Sequence, residues 1–194
     1  MRPDGSQVRP VVVLAGPPGS GKSAVAEALS ARLAVSWRDV DHDVEAVAGR
    51  TVPEIFAGEG EPAFRTRETA ALDAALRTHE GVLSLGGGTP VAPRNQELLA
   101  GYVRAGGSVV LLDVDPDVAV ARMGDTHGRP LLGDDPRARF LALVREREGA
   151  YAAVSTLRVD TSTRSVDEVV DVVVGHLTTL SNDLTRRTTT HHDL

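Results

Sequence analysis

The sequence predicts an α/β fold in three layers: a parallel sheet of five strands between two layers of helices. Three observations carry that expectation. Apolar runs that read as buried strands alternate with helical stretches along the chain, as parallel strands joined by crossover helices do. The first such run, Val11-Val12-Val13-Leu14-Ala15, leads into Gly16-Pro17-Pro18-Gly19-Ser20-Gly21-Lys22-Ser23, and a helix-forming run from Ser23 to Leu33 leads out. That is the G-x-x-x-x-G-K-[ST] phosphate loop with a strand before it and a helix after. Finally, 194 residues with 41% apolar and 25% charged side chains suit one globular domain.

Residues 1–9 are polar, hold proline and glycine, and are expected to be disordered. The domain proper, residues 10–180, opens with a strand at about Pro10 to Ala15 whose two faces are both apolar. A helix from about Gly21 to Ala34 follows, with Val25, Ala28, Leu29 and Leu33 at helical spacing. A short second strand covers Ser36 to Asp39. Asp39-Val40-Asp41 then stands at its C-terminal end, where ligands of open α/β sheets gather. Three helical pieces fill about 41–78. Asp41 to Ala48 is stopped by Gly49. Thr51-Val52-Pro53-Glu54 opens the second with a capping box and an early proline. Glu61 to Thr78 is long, with Phe64, Ala71, Leu72, Ala75 and Leu76 as inward residues.

Val82 to Leu85 is the third strand and ends in Gly86-Gly87-Gly88-Thr89. A helix is expected from Pro93 to Ala100, and the fourth strand from Ser108 to Asp113. Pro116 opens a helix that ends near Gly124. Asp125 to Pro136 mixes two glycines and two prolines with charges and reads as a mobile loop, the core of a lid at about 122–136. Arg137 to Val154 is helical, and Thr156 to Val159 is the fifth strand. Ser165 caps the last helix, to Leu180, with Glu168 three residues on. Residues 181–194 are polar and threonine-rich and are expected to be a disordered tail, in which His191 and His192 are solvated.

Composition narrows the function classes. A net charge of −6 argues against broad nucleic-acid binding. The chain has no cysteine, hence neither disulfides nor thiolate metal sites. No apolar run reaches the length of a membrane span, and Met1 to Pro10 lacks the apolar stretch of a signal peptide. The expectation is a cytoplasmic, monomeric enzyme that binds neither nucleic acid nor membrane.

The phosphate loop specifies ATP chemistry in outline. Its glycines turn the backbone so that several N–H groups point at one anion, at the positive end of the following helix. Gly19, Ser20, Gly21, Lys22, Ser23 and Ala24 are the expected ATP-binding stretch. Lys22 reaches the outer phosphates, and the Ser23 hydroxyl serves Mg²⁺. The loop alone leaves kinase, switch GTPase and motor ATPase open. The Asn-Lys-x-Asp signature of guanine specificity is absent. Asp125-Thr126-His127-Gly128 matches a D-x-x-G pattern only by letters, because a helix precedes it rather than a strand.

The remaining residues resemble one family, shikimate kinase, from about Val11 to Thr161. The resemblance rests on Gly16 to Ser23; Asp39-Val40-Asp41 with Glu45 and Gly49; and Glu54-Ile55-Phe56 followed by Gly60-Glu61, Phe64-Arg65 and Glu68. It continues through Gly86-Gly87-Gly88 and Arg129-Pro130-Leu131-Leu132 to Arg147, four residues before Tyr151. Order and spacing together, rather than any one piece, make it specific.

The resemblance implies the strand order 2-3-1-4-5 and transfer of the ATP γ-phosphoryl group to the 3-hydroxyl of shikimate, a step toward chorismate and the aromatic amino acids. It implies Mg²⁺ at Ser23 and Asp39. Lys22, Asp41 and Arg129 are then the catalytic groups, with Asp41 holding the acceptor hydroxyl. Arg65 and Arg147 clamp the substrate carboxylate, for which two guanidinium forks are well shaped. Gly86, Gly87 and Gly88 contact shikimate. Arg122, Arg129 and Arg164 join the ATP site, Arg122 at the adenine.

The chain departs from the family's R-x-P-L-Y pattern, with Gly149 and Ala150 in place of proline and leucine. Two alternatives remain: another small-molecule kinase of this fold, such as a gluconate or nucleoside monophosphate kinase, and a nucleotide-binding module without transfer activity.

Overall fold

A computed structural model of the protein describes residues 8–123 and 135–189. The elements run β1 (Val12–Ala15), α1 (Lys22–Leu33), β2 (Trp37–Asp39), α2 (Val40–Ala48), α3 (Val52–Thr78), β3 (Val82–Ser84), a single 3₁₀ turn (Thr89–Val91) and α4 (Pro93–Arg104). They continue with β4 (Val109–Asp113), α5 (Pro116–Met123), α6 (Pro136–Val154), β5 (Leu157–Asp160) and α7 (Val166–Thr189).

All strand pairs are parallel, in the order β2-β3-β1-β4-β5. Alternation along β1 explains the layers. Val12 and Leu14 point into one core with Val25, Ala26 and Leu29 of α1 and Val169, Val170 and Val173 of α7. Val13 and Ala15 point into the other with Leu72 and Ala75 of α3, Leu99 and Tyr102 of α4 and Val154 of α6. A strand apolar on both faces needs a helical layer on each side, which is why the unbroken run near the N-terminus reads as a central strand. A satellite cluster of Val44, Ile55 and Phe64 ties α2 to α3 beside the sheet.

Because the strands are parallel, their C-terminal ends share one edge. The phosphate loop follows β1, Asp39 ends β2, the glycine triplet follows β3, Asp113 ends β4 and Asp160 ends β5. The pairing Asp39↔Ser84 brings the start of α2 beside the glycines.

Both expected capping boxes are present: Thr51 with Glu54, and Ser165 with Glu168. α3 is continuous by hydrogen bonding but breaks at Gly60, which is left-handed at φ 82°, with Pro62 just beyond. The two helices expected on either side of that point are therefore real. α4 continues past the expected end at Ala100 to Arg104, since Tyr102 falls on the same buried face as Leu99.

The expected disordered tail from Ser181 is corrected: α7 continues to Thr189. No glycine or proline follows Gly175, so nothing in the covalent chain stops the helix. Residues 1–7, the lid segment 124–134 with Arg129, and residues 190–194 with His191 and His192 lie outside the described residues. No helix among the described residues is long and apolar enough to cross a membrane.

Candidate active site

The phosphate loop leaves the end of β1 through Gly16, Gly19 and Gly21, at φ 151°, 76° and 88°. At Gly19 a Cβ would also stand 2.7 Å from the Ala119 carbonyl oxygen, so only glycine fits. Gly21 is the N-cap of α1 and offers no side-chain cap, and no carboxylate lies in the first turn. The leading amides of α1 are therefore left for an anion, at the positive end of the helix. Lys22 Nζ donates to the carbonyls of Gly16 and Pro17, 2.9 Å each, which lays the ammonium across the loop. The neighbouring Ser23 and Ala24 are exposed in that first turn, and Ser20 is buried beneath it. An uncapped helix end with a lysine beside it and no competing carboxylate suits a triphosphate.

Across the cleft, Asp39 is the N-cap of α2, its Oδ1 accepting from the Asp41 N–H at 2.9 Å. Among the described residues no three His, Cys, Asp or Glu side chains cluster as a metal site. Ser23 and Asp39 offer a hydroxyl and a carboxylate, oxygen donors of the kind Mg²⁺ takes.

Among the described residues Asp41 is a strongly perturbed carboxylate. Its pKa is pushed up to about 6, first by burial and then by the nearby charges of Asp39 and Glu68, against the pull of Lys22 and Arg65. Its Oδ1 is buried and finds no hydrogen-bond partner among the described residues.

Phe64 and Arg65 do not diverge as expected: Phe64 is buried in the satellite cluster, and the Arg65 guanidinium stacks over its ring, 5.2 Å from the centroid. The guanidinium also lies over Gly88. A Cβ on Gly88 would stand 2.6 Å from Arg65 Nη2. Arg65 donates to Glu68 at 2.8 Å and to the exposed Glu61 at 2.9 Å. Glu68 is fully buried and also accepts from Thr89 Oγ1 at 2.6 Å. Asn95, equally buried, donates to the Thr89 carbonyl at 2.9 Å. Arg65 is thereby tied to the turn that follows the glycines.

Arg147 lies on α6, one helical turn before Tyr151, and its charge acts on the Tyr151 hydroxyl. Tyr151 is buried, and its hydroxyl donates to the Gly87 carbonyl at 2.6 Å. α6 runs unbroken through Gly149 and Ala150, so the departure from the family pattern does not interrupt the helix.

On the nucleotide side, Arg122 donates to the Thr161 carbonyl at 2.7 Å and approaches the Gly19 carbonyl at 3.5 Å. Thr161 Oγ1 donates in turn to the carbonyls of Ser20 and Asp113. Arg122 therefore joins the phosphate loop to the β5–α7 connection. Arg164 donates to the Asp160 carbonyl at 2.7 Å in that same connection.

The structure thus gathers Lys22, Asp39, Asp41, Arg65 and the glycine triplet at one edge of the sheet, and Tyr151, one helical turn after Arg147, bonds to that triplet at Gly87. Reading the sequence did not find the roles of Thr89, Asn95 and Thr161. The Thr89 and Thr161 hydroxyls bond to groups at least 21 residues away, Asn95 bonds to a backbone carbonyl six residues back, and no local pattern marks them. Glu68 and Tyr151 stood in the motif without a stated task.

The family model described as shikimate kinase matches residues 18–178. A shikimate kinase of Salinispora tropica is 46% identical over 168 residues, 87% of this chain and 98% of that protein. Among solved structures, the shikimate kinase of Acinetobacter baumannii in complex with shikimate superposes with a TM-score of 0.81 at 31% identity, over 91% of this chain and 96% of that one. A gluconokinase of Sinorhizobium meliloti, with a TM-score of 0.62 at 19% identity over 94% of this chain and 99% of that one, shares the fold alone.

Proposed function

The chain belongs to the shikimate kinase family, and from that premise we propose that it transfers the γ-phosphoryl group of ATP to the 3-hydroxyl of shikimate, giving shikimate 3-phosphate and ADP. The observation that carries the residue assignment is Asp41. Its buried, unpartnered oxygen lies against Gly86 in the fields of both Lys22 and Arg65.

Asp41 accepts a hydrogen bond from the acceptor hydroxyl and orients its oxygen toward the γ-phosphorus. A carboxylate with a pKa near 6 is mostly ionised at neutral pH yet basic enough to take the hydroxyl proton as the new P–O bond forms. The bond to the β-phosphate bridging oxygen breaks, and that oxygen leaves on ADP. The transition state is loose, so placement and charge matter more than base strength. Lys22 and the leading amides of α1 hold the β- and γ-phosphates as charge shifts toward the leaving oxygen.

Ser23 and Asp39 would hold Mg²⁺, which would neutralise phosphate charge. Arg65 and Arg147 grip the acceptor carboxylate, with Gly86, Gly87 and Gly88 allowing its ring to approach the backbone. Arg122 and Arg164 border the adenine end. Arg129, outside the described residues, is assigned to the phosphates by the family pattern alone. We place the protein in the cytoplasm as a monomer.

The test is a coupled ADP-release assay over shikimate, quinate, gluconate and AMP. Turnover should be selective for shikimate. Equal or better turnover with gluconate or AMP would reject the acceptor assignment, and no turnover with any acceptor would favour a binding module.

A further inference from the structure

The reading of Arg147 as a ligand of the acceptor carboxylate leaves a question of reach. Arg147 is a long side chain on a helix whose next turn carries Gly149, where a Cβ would meet nothing within 4 Å. On either side of that point α6 is anchored by the buried Phe140, Tyr151 and Val154. The one nearest Arg147 in the chain is Tyr151. It is 3% exposed, and its hydroxyl makes a 2.6 Å bond to the carbonyl of Gly87, a residue 64 positions earlier in the chain.

Resting on that reading of Arg147, we propose that Tyr151 is a positioning residue for substrate binding. Its hydroxyl donates to the Gly87 carbonyl, accepts from the Arg147 guanidinium, and so registers that guanidinium against the glycine triplet. Proton accounting requires this direction. A phenol has one proton, and a carbonyl can only accept, so the proton goes to Gly87. The phenol lone pairs are then open to Arg147, which can only donate. Burial raises the hydroxyl pKa, which keeps the donor protonated throughout the working range.

Arg147 and Tyr151 are spaced by four residues on α6, the separation that brings two side chains together on one helix face. Arg65, the other half of the clamp, lies over Gly88. The two guanidiniums are therefore indexed to adjacent residues of one backbone stretch, Arg65 by direct contact and Arg147 through Tyr151. Holding a flexible arginine in place before the ligand arrives removes part of the entropy cost of binding.

The experiment is Tyr151→Phe, which deletes one oxygen and keeps the ring, combined with Arg147→Ala in a double-mutant cycle. Shikimate KM and kcat, the ATP dissociation constant and Tm are measured for all four proteins. Tyr151→Phe should raise the shikimate KM about tenfold, the scale of one hydrogen bond to a charged group, with kcat and ATP affinity within about twofold. In the Arg147→Ala background the same change should have less than about a twofold effect, because the positioned group is gone. An acceptor with the carboxylate replaced by a neutral amide should likewise be insensitive to Tyr151→Phe.

Equal fold-changes in both backgrounds, or with both acceptors, would overturn the proposal and leave Tyr151 a packing residue. Parental kinetics in Arg147→Ala alone would instead reject the carboxylate role of Arg147, and the positioning role would fall with it. An unchanged KM with a lowered Tm in Tyr151→Phe would also overturn it.

Discussion

Asp41 occupies the space that a side chain at Gly86 would need. A Cβ on Gly86 would stand 2.5 Å from Asp41 Oδ1 and 3.0 Å from its Cγ. Glycine is required here by this close approach, not by backbone conformation, since Gly86 is absent from the positive-φ residues. Gly86→Ala should push the carboxylate out of the cleft. The expected result is a fall in kcat of at least about tenfold with a small change in Tm, because misplacing a reacting group by about 1 Å costs about 100-fold. Gly87→Ala is the comparison. Its Cβ would meet the Pro18 ring at 3.2 Å and the Gly16 carbonyl oxygen at 3.5 Å, and a milder loss is expected.

Asp41→Asn should separate activity from stability. The carboxyl pKa rises from 3.8 to about 6 in the folded protein. Between those values the folded state holds a proton that the unfolded chain has released, so stability falls as pH rises through the window and stays lower above it. Asparagine removes that penalty. Measured with a chelator and no nucleotide, the variant should melt higher than the parent at pH 8, by at most about 3 kcal/mol. The two should converge near pH 4. Turnover should fall by orders of magnitude with ATP binding little changed. Equal stability of the two proteins at pH 8 would show that the Asp41 charge is compensated in the free protein.

Arg65→Ala should cost stability as well as substrate affinity. Glu68 has a side chain only 1% exposed, and Arg65 is its charged partner. Removing one member of a buried pair typically costs about 3–5 kcal/mol, and a value at the lower end is expected because Thr89 still donates to Glu68. Arg65→Ala with Glu68→Gln should recover most of the Tm but none of the shikimate affinity. A single variant as stable as the parent would show that Glu68 finds another donor.

A chain ending at Leu180 should melt within a few degrees of the full protein and keep its kinetics. Among the described side chains, the inward residues of α7 that reach the sheet, Val169, Val170 and Val173 with Val174 and Leu177, precede that point. Ser181 and Asn182 are exposed. A large fall in Tm would show that the last turns of α7 contribute to packing.

The chain order of strands and helices, the phosphate loop and both capping boxes were legible from sequence because each is specified by residues close together. A capping box needs a side chain three residues away, and a phosphate loop needs glycines where the backbone turns left-handed. The same locality explains the error at the C-terminus. Polarity was read as disorder in a segment that lacks any helix stop, and the helix carries on to Thr189.

Tertiary structure alone decided how the site is held. Glu68 meets Thr89 across 21 residues, Arg122 meets Thr161 across 39, and Tyr151 meets Gly87 across 64. Each pairing exists because parallel crossovers return the chain to the same sheet edge, and the register Asp39↔Ser84 sets which side chain lies over which glycine. The sequence by itself determined that this chain binds a triphosphate and which residue types surround it. Which groups support Asp41, Arg65 and Arg147 depends on long-range packing, because a buried charge or hydroxyl takes whatever partner the fold brings within hydrogen-bonding distance.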